Sequence, residues 1–176
     1  EEKVGRDVGE LLGLAPVGVR VVDDASSLLS SVQGDIVLHS TTSYLSDVYP
    51  QVSLALENGL DIISTAEELS YPWAANPGSA EELDELARRR GVTVLGAGAN
   101  PGFVMDLLPL VLTAPCQAVQ RVFVRRVVDA SKRRLPLQRK IGVGISVEEF
   151  RERVARGGFG HVGLRESLRM VSEALG

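Results

Sequence analysis

Between residues 19 and 96, short apolar runs rich in β-branched residues alternate with helical patterns, and this alternation constrains the fold more than any other feature. It is the signature of an α/β domain built on a mainly parallel sheet. Four strands are expected, at Val19 to Val22, Asp35 to His39, Asp61 to Thr65, and Val92 to Gly96. Each is a nearly unbroken apolar run, of the kind a sheet covered on both faces requires. Val48, Val52 and Leu56 recur at four-residue spacing and are closed by Asn58-Gly59, which predicts a helix. Ser79 and Glu82 form a candidate capping box for the next helix, which Gly91 stops.

The pattern changes after residue 100. Phe103 to Thr113 is apolar and helix-like, and the break at Ala114-Pro115-Cys116 places a boundary between residues 1–113 and 114–176. Ala118 to Val128 holds a β-rich run, VQRVFVRRVV, followed by the basic loop ASKRRLPLQRK. Ser146 and Glu149 suit a second capping box, Gly157-Gly158-Phe159-Gly160 a turn, and Leu164, Leu168, Val171 and Leu175 one face of a last helix.

Composition narrows the functional classes. With 176 residues the chain makes one average domain or two small ones and needs no disulfide or structural metal to build a core. Its single cysteine, Cys116, supports neither a disulfide framework nor a zinc cluster, so no metal is expected. Nineteen Lys and Arg against 23 Asp and Glu, a net charge of -4, argue against a general nucleic-acid binder. No apolar run reaches the roughly 20 residues of a membrane span, and the start, EEKVGRDVGE, does not read as a signal peptide. A soluble cytoplasmic protein is the expectation.

In a doubly wound sheet, ligands sit beyond the carboxyl ends of the strands, so the residues just past each strand matter most. His39-Ser40-Thr41-Thr42-Ser43 is a cluster of small hydroxyl residues that either caps the next helix or offers hydrogen bonds to a ribose or phosphate. Thr65-Ala66-Glu67-Glu68 leads to Tyr71 and Trp73. A carboxylate there is either a solvated helix start or a partly desolvated base. Gly96-Ala97-Gly98-Ala99-Asn100-Pro101-Gly102 begins like a dinucleotide fingerprint, but Pro101 stands where the third glycine belongs and no ribose-binding acid follows. It is read instead as a tight turn past a bound ring. Arg121, Arg125, Arg126, Lys132, Arg133, Arg134, Arg139 and Lys140 either form a solvated surface or bind an anion, and His161 sits in a glycine turn.

Together these segments are more specific than any one of them. ISTAEELSYPWAANP, VTVLGAGANPGFVMDLLPLVL, RRVVDASKRRLPLQRKIGVGISVEEF and GGFGHVGLRESLRMVSEALG resemble the 2,4-diaminopentanoate dehydrogenase family, related to dihydrodipicolinate reductases and native amine dehydrogenases. The resemblance implies a Rossmann-type doubly wound sheet on NAD or NADP, an α+β substrate and dimerisation domain, and a homodimer. The implied reaction is NAD(P)-dependent oxidative deamination of an amine. By the same resemblance the catalytic carboxylate is Glu67 or Glu68, with Glu67 favoured. Ser40, Thr41, Thr42 and Thr65 would line the cofactor, and Asn100, Pro101 and Gly102 its nicotinamide end. Trp73, Phe103 and His161 would wall the substrate pocket, and Arg121 or Arg125 would hold a substrate carboxylate. The family's opening strand, glycine-rich loop and second strand have no counterpart here. The chain therefore reads as an interior excerpt supplying both flanks of a sheet without its centre. Two other readings stand beside this one, an imine reductase of the dihydrodipicolinate reductase type and a non-catalytic interaction module.

Overall fold

A computed structural model describes residues 2–157 and 159–176, so Glu1 and Gly158 of the expected glycine turn lie outside the described residues. The chain opens with two short helices, α1 (Val8–Leu11) and α2 (Ala25–Ser31), before the first strand, β1 (Ile36–His39). Helix α3 (Leu45–Glu57) leads to β2 (Asp61–Ser64), and α4 (Pro77–Arg90) to β3 (Val94–Gly96). The strands pair in the order β1-β2-β3, all parallel, with Val37 opposite Ile62 and Ile62 opposite Val94. Parallel neighbours need a crossover, and the two long helices supply it.

The helix ends follow from named residues. Asn58 Nδ2 donates to the Leu54 carbonyl at 2.8 Å where α3 stops, as Asn58-Gly59 led us to expect. Pro77 opens α4 at its first position and Gly91 closes it in the left-handed conformation, φ 69°. The capping box expected at Ser79 and Glu82 does not form, because the helix starts earlier. Ser79 lies inside it, and the Glu82 carboxylate accepts from the Tyr49 hydroxyl at 2.8 Å. The core lies between α3, α4 and one sheet face. Val48, Val52 and Leu56 are wholly buried with Leu45, Ile62, Leu69, Leu83 and Ala87 around them.

Three expectations about strands need correction. Val19 to Val22 is not a sheet strand, since it makes only an isolated antiparallel bridge between Arg20 and Asp7. The Asp7 carboxylate accepts from the backbone N–H groups of Gly9, Val17 and Gly18 and ties this segment to the N-terminal loop. Those bonds, Val17 first, hold the carboxyl below its usual pKa. The sheet is thus one contiguous flank rather than two. Ala118 to Val128 forms no strand, with Phe123 and Val127 exposed, because no neighbour among the described residues supplies ladder hydrogen bonds. The sheet is also covered on one face only, so it is not doubly wound among the described residues. Ile36, Leu38 and Leu95 share the other face and stay exposed.

After β3 the chain turns into α5 (Leu107–Thr113), shorter than the Phe103 to Thr113 pattern suggested. Residues 101–106 form turns in its place, held by Asp106. Helices α6 (Leu135–Lys140), α7 (Val147–Arg156) and α8 (Leu164–Leu175) follow. The Ser146 hydroxyl caps α7 by accepting from Glu149 N–H at 3.1 Å, as its sequence position implied.

Candidate active site

The carboxyl ends of the three strands bring their following loops to one edge of the sheet. Beyond β1, Ser40, Thr41 and Thr42 are exposed. Their loop is anchored by buried His39. Gln51 Oε1 lies 2.8 Å from Nε2, which makes Nε2 the donor and leaves Nδ1, 2.8 Å from Ser64 Oγ, to accept. Thr41 Oγ1 donates to the same Gln51 oxygen at 3.0 Å. Thr65 Oγ1 donates to Ser40 Oγ at 3.2 Å, joining the ends of β1 and β2.

Beyond β2, Glu67 to Ser70 form a single 3-10 turn, which sends adjacent side chains in different directions. Glu68 turns inward, where its Oε2 accepts from Leu45 N–H at 2.7 Å and from Asn76 Nδ2 at 3.1 Å. It therefore caps α3, whose Tyr44 offers no side-chain cap. Glu67 turns the other way, into a cleft of about 230 Å³ lined by Thr65, Asn100, Pro101, Arg126, Lys140 and His161 among others. There its Oε1 accepts from Lys140 Nζ at 3.2 Å, and the same ammonium donates to Ser43 Oγ at 3.1 Å. Gly96 lets this turn sit against β3. A Cβ there would lie 2.0 Å from the Leu69 carbonyl oxygen.

Beyond β3, the Gly98 to Gly102 turn contains a cis peptide bond at Asn100-Pro101. Buried Asp106 holds it, accepting from Gly102 N–H at 2.8 Å and from the Ser167 hydroxyl of α8 at 2.7 Å. Gly163, at the N-terminus of α8, abuts Pro101, and a Cβ there would lie 2.3 Å from the proline ring. This contact brings the 160–163 turn over the cleft, where Asn100 Nδ2 lies 3.3 Å from His161 Nε2. The His161 ring is exposed by surface area. Even so, partial desolvation and then the Lys140 cation lower its pKa, opposed by Glu67 and by a hydrogen bond to the Asn100 backbone.

Of the residues anticipated from sequence, the fold gathers Glu67, Thr65, Asn100, Pro101 and His161 in one cleft, with Gly102 adjoining it. Ser40, Thr41 and Thr42 stand at the same sheet edge. Trp73 lies elsewhere, beside α4 and β3, its ring centroid 5.8 Å from that of Tyr71 at a tilt of 59°. Phe103 is exposed and outside the cleft. Arg121 lines an adjoining apolar groove of about 470 Å³ along α8, which shares Asn100 and His161 with the cleft, and Arg125 lies over the Phe123 ring at 5.5 Å. Lys140 was anticipated only as one of eight basic residues read as a solvated surface or an anion site, and Asp106 was not anticipated as a site residue. Their partners are 73 and 61 positions away in the chain, a separation that sequence pattern does not report.

Proteins named as dehydrogenases share this chain's fold and sequence. The amine dehydrogenase structure from Mycobacterium smegmatis superposes with a TM-score of 0.72 at 31% identity, covering 99% of this chain and 50% of that one. The 2,4-diaminopentanoate dehydrogenase of Acetoanaerobium sticklandii is 37% identical over 184 aligned positions, covering 98% of this chain and 52% of that protein. Residues 103–176 also match the family model of the 2,4-diaminopentanoate dehydrogenase C-terminal domain. The chain is thus similar along its whole length to the 2,4-diaminopentanoate dehydrogenase family, as its motifs implied, and it spans about half the length of these relatives.

Proposed function

We propose that the protein is an NAD(P)-dependent dehydrogenase that oxidatively deaminates a small diamino acid of the 2,4-diaminopentanoate type, the reverse reaction being reductive amination of a ketone with ammonia. The observation that carries this reading is Glu67, whose carboxylate faces the Asn100, Pro101 and His161 cleft at the carboxyl end of β2. The names of the relatives give the reaction class, and the residues give the roles.

The sheet edge fits half of a nicotinamide cofactor. Exposed hydroxyls of Ser40, Thr41, Thr42 and Thr65 offer donors and acceptors for a ribose, and the Gly98 to Gly102 turn brings bare backbone to the same edge. When bound, the nicotinamide supplies the hydride acceptor. Glu67 takes a proton from the substrate ammonium at its carboxylate oxygen, which frees the nitrogen lone pair to drive the oxidation. It passes that proton to solvent as the hydride leaves, so that the restored carboxylate stabilises the iminium that develops, and it then takes a proton from the water that adds to the iminium carbon and returns it to the departing nitrogen. Collapse of the adduct releases ammonia and leaves the ketone. Lys140 Nζ fixes the orientation of the carboxylate through the 3.2 Å contact. The change of sequence pattern near residue 114 and the family resemblance support, as parts of the same reading, a boundary between cofactor and substrate domains there, a homodimer, and a cytoplasmic location.

The test is Glu67→Gln, an isosteric change at a partly exposed position. Turnover on 2,4-diaminopentanoate should fall by about 10²-fold or more while the thermal unfolding midpoint stays within a degree or two. Unchanged turnover would remove the carboxylate from the mechanism. Reverse turnover independent of ammonia would instead identify an imine reductase. A full chain that binds neither NADH nor NADPH would favour the interaction module.

A further inference from the structure

Eight basic residues lie between positions 121 and 140, and the fold sorts them. Arg121 faces the apolar groove, Arg125 lies over Phe123, and Lys132 pairs with Asp129 at 3.8 Å. Arg126, Arg133 and Lys140 converge on the Glu67 cleft. The ammonium of Lys140 is engaged by Glu67 and Ser43. Among the described residues, neither Arg126 nor Arg133 has a carboxylate within salt-bridge distance.

The cleft therefore holds three cationic side chains against one carboxylate, and that carboxylate is already paired. Two consequences follow from elementary electrostatics. A ligand presenting only an ammonium gains Glu67 but meets an excess of like charge, whereas a ligand that also carries an anion neutralises that excess. Guanidinium groups also present planar donor forks that match a carboxylate, so two of them beside a cleft define an anion subsite rather than a diffuse field. The pKa of His161 is lowered first by partial desolvation, with Lys140 and, less, Arg126 adding to the effect against Glu67.

We propose that Arg126 and Arg133, beside Lys140, form a carboxylate subsite that selects amines bearing a carboxylate over the same amines without one. This rests on the reading of the Glu67 cleft as the amine site, and it replaces Arg121 and Arg125 as the carboxylate-holding pair. The anion could come from two sources, the substrate carboxylate or a cofactor phosphate, and the experiment separates them.

The measurement is calorimetric titration of the full chain with 2,4-diaminopentanoate, with 1,3-diaminobutane, which has the same skeleton without the carboxylate, and with NADH and NADPH. The wild type should bind the diamino acid at least about tenfold more tightly than the diamine. Arg126→Gln and Arg133→Gln should each shrink that ratio by weakening the diamino acid alone, and the double variant should bring it near one. Both arginines are at least partly exposed and unpaired among the described residues, so these variants should fold, and Arg126→Lys and Arg133→Lys should retain part of the ratio. Equal binding of the two amines by the wild type, no detectable binding of the diamino acid, or a ratio unchanged in the variants would overturn the proposal. So would a loss of NADH or NADPH affinity at constant ratio, which would assign the anion to the cofactor phosphates. The proposed reaction fails separately, on Glu67→Gln turnover, because the ratio is read by binding and not by catalysis.

Discussion

Glu67 and Glu68 are the same residue in adjacent positions, and their difference is made entirely by backbone direction. In the 3-10 turn one carboxylate faces the cleft and the other satisfies the Leu45 and Asn76 donors. The sequence shows the pair and its place after a strand. It does not show the division of labour, because that depends on α3 starting where Glu68 can reach it. Glu68→Ala should therefore cost about 1–2 kcal/mol of stability, seen in a denaturant melt, by leaving Leu45 N–H without its acceptor. Glu67→Gln should cost turnover instead. His161 gives a second test at this scale. Its depressed pKa arises first from partial desolvation and next from Lys140, opposed by Glu67. Replacing Lys140 with Met should raise that pKa toward 6.5, measured by following the ring protons by NMR against pH. The sign for stability follows from linkage. A histidine with a folded pKa below its unfolded value contributes stability above pH 6.5, and that contribution fades as pH falls toward the depressed value. Because the ring is largely exposed, the effect on the melt should be small, and the NMR titration is the decisive measurement.

Among elements, those whose ends and buried face both rest on local residues were legible. Helix α3 was readable from Val48, Val52, Leu56 and Asn58-Gly59, and α7 from Ser146. Strands were legible only in part: the runs Asp35 to His39, Asp61 to Thr65 and Val92 to Gly96 hold β1, β2 and β3, but two other strand-like segments stay outside the sheet, since a strand is completed by its partner. Val19 to Val22 and Ala118 to Val128 have β-rich composition, but the first is captured by the Asp7 loop and the second has no neighbour. Helix α8 has a further feature that its apolar stripe did not reveal. Glu166, in its first turn, is only 3% exposed. Burial raises its carboxyl pKa, and the nearby charge of Glu68 adds to the rise. Here the linkage sign is reversed. The folded state prefers the protonated acid, so its contribution is fully present below the unfolded pKa near 4.5 and is lost as pH rises through the elevated value. Glu166→Gln should remove that penalty. The unfolding midpoint should rise by a few degrees at pH 7 to 8 and scarcely move at pH 4, a difference that differential scanning calorimetry resolves.

At the scale of the whole molecule, the three-stranded sheet carries its core on one face and leaves apolar side chains on the other. Leu38 is 78% exposed and Leu95 is 51% exposed, at register positions joined through Ile63. Unbroken apolar runs predict strands buried on both sides, but such a run records that a strand can be covered and not which element covers it, and among the described residues Leu38 and Leu95 stay exposed. Because Leu38 and Leu95 contact little, replacing both with Lys should change stability by no more than about 0.5 kcal/mol, whereas Val52→Ala in the packed face should cost about 2 kcal/mol or more. The comparison separates two views of the bare face. If Leu38→Lys and Leu95→Lys are nearly silent in a denaturant melt of the 176-residue chain and suppress its concentration-dependent association in sedimentation velocity, the face is solvent-exposed apolar surface, as the structure has it. A loss comparable to that of Val52→Ala would mean that the face is already covered by the chain itself, and the one-sided sheet would be wrong.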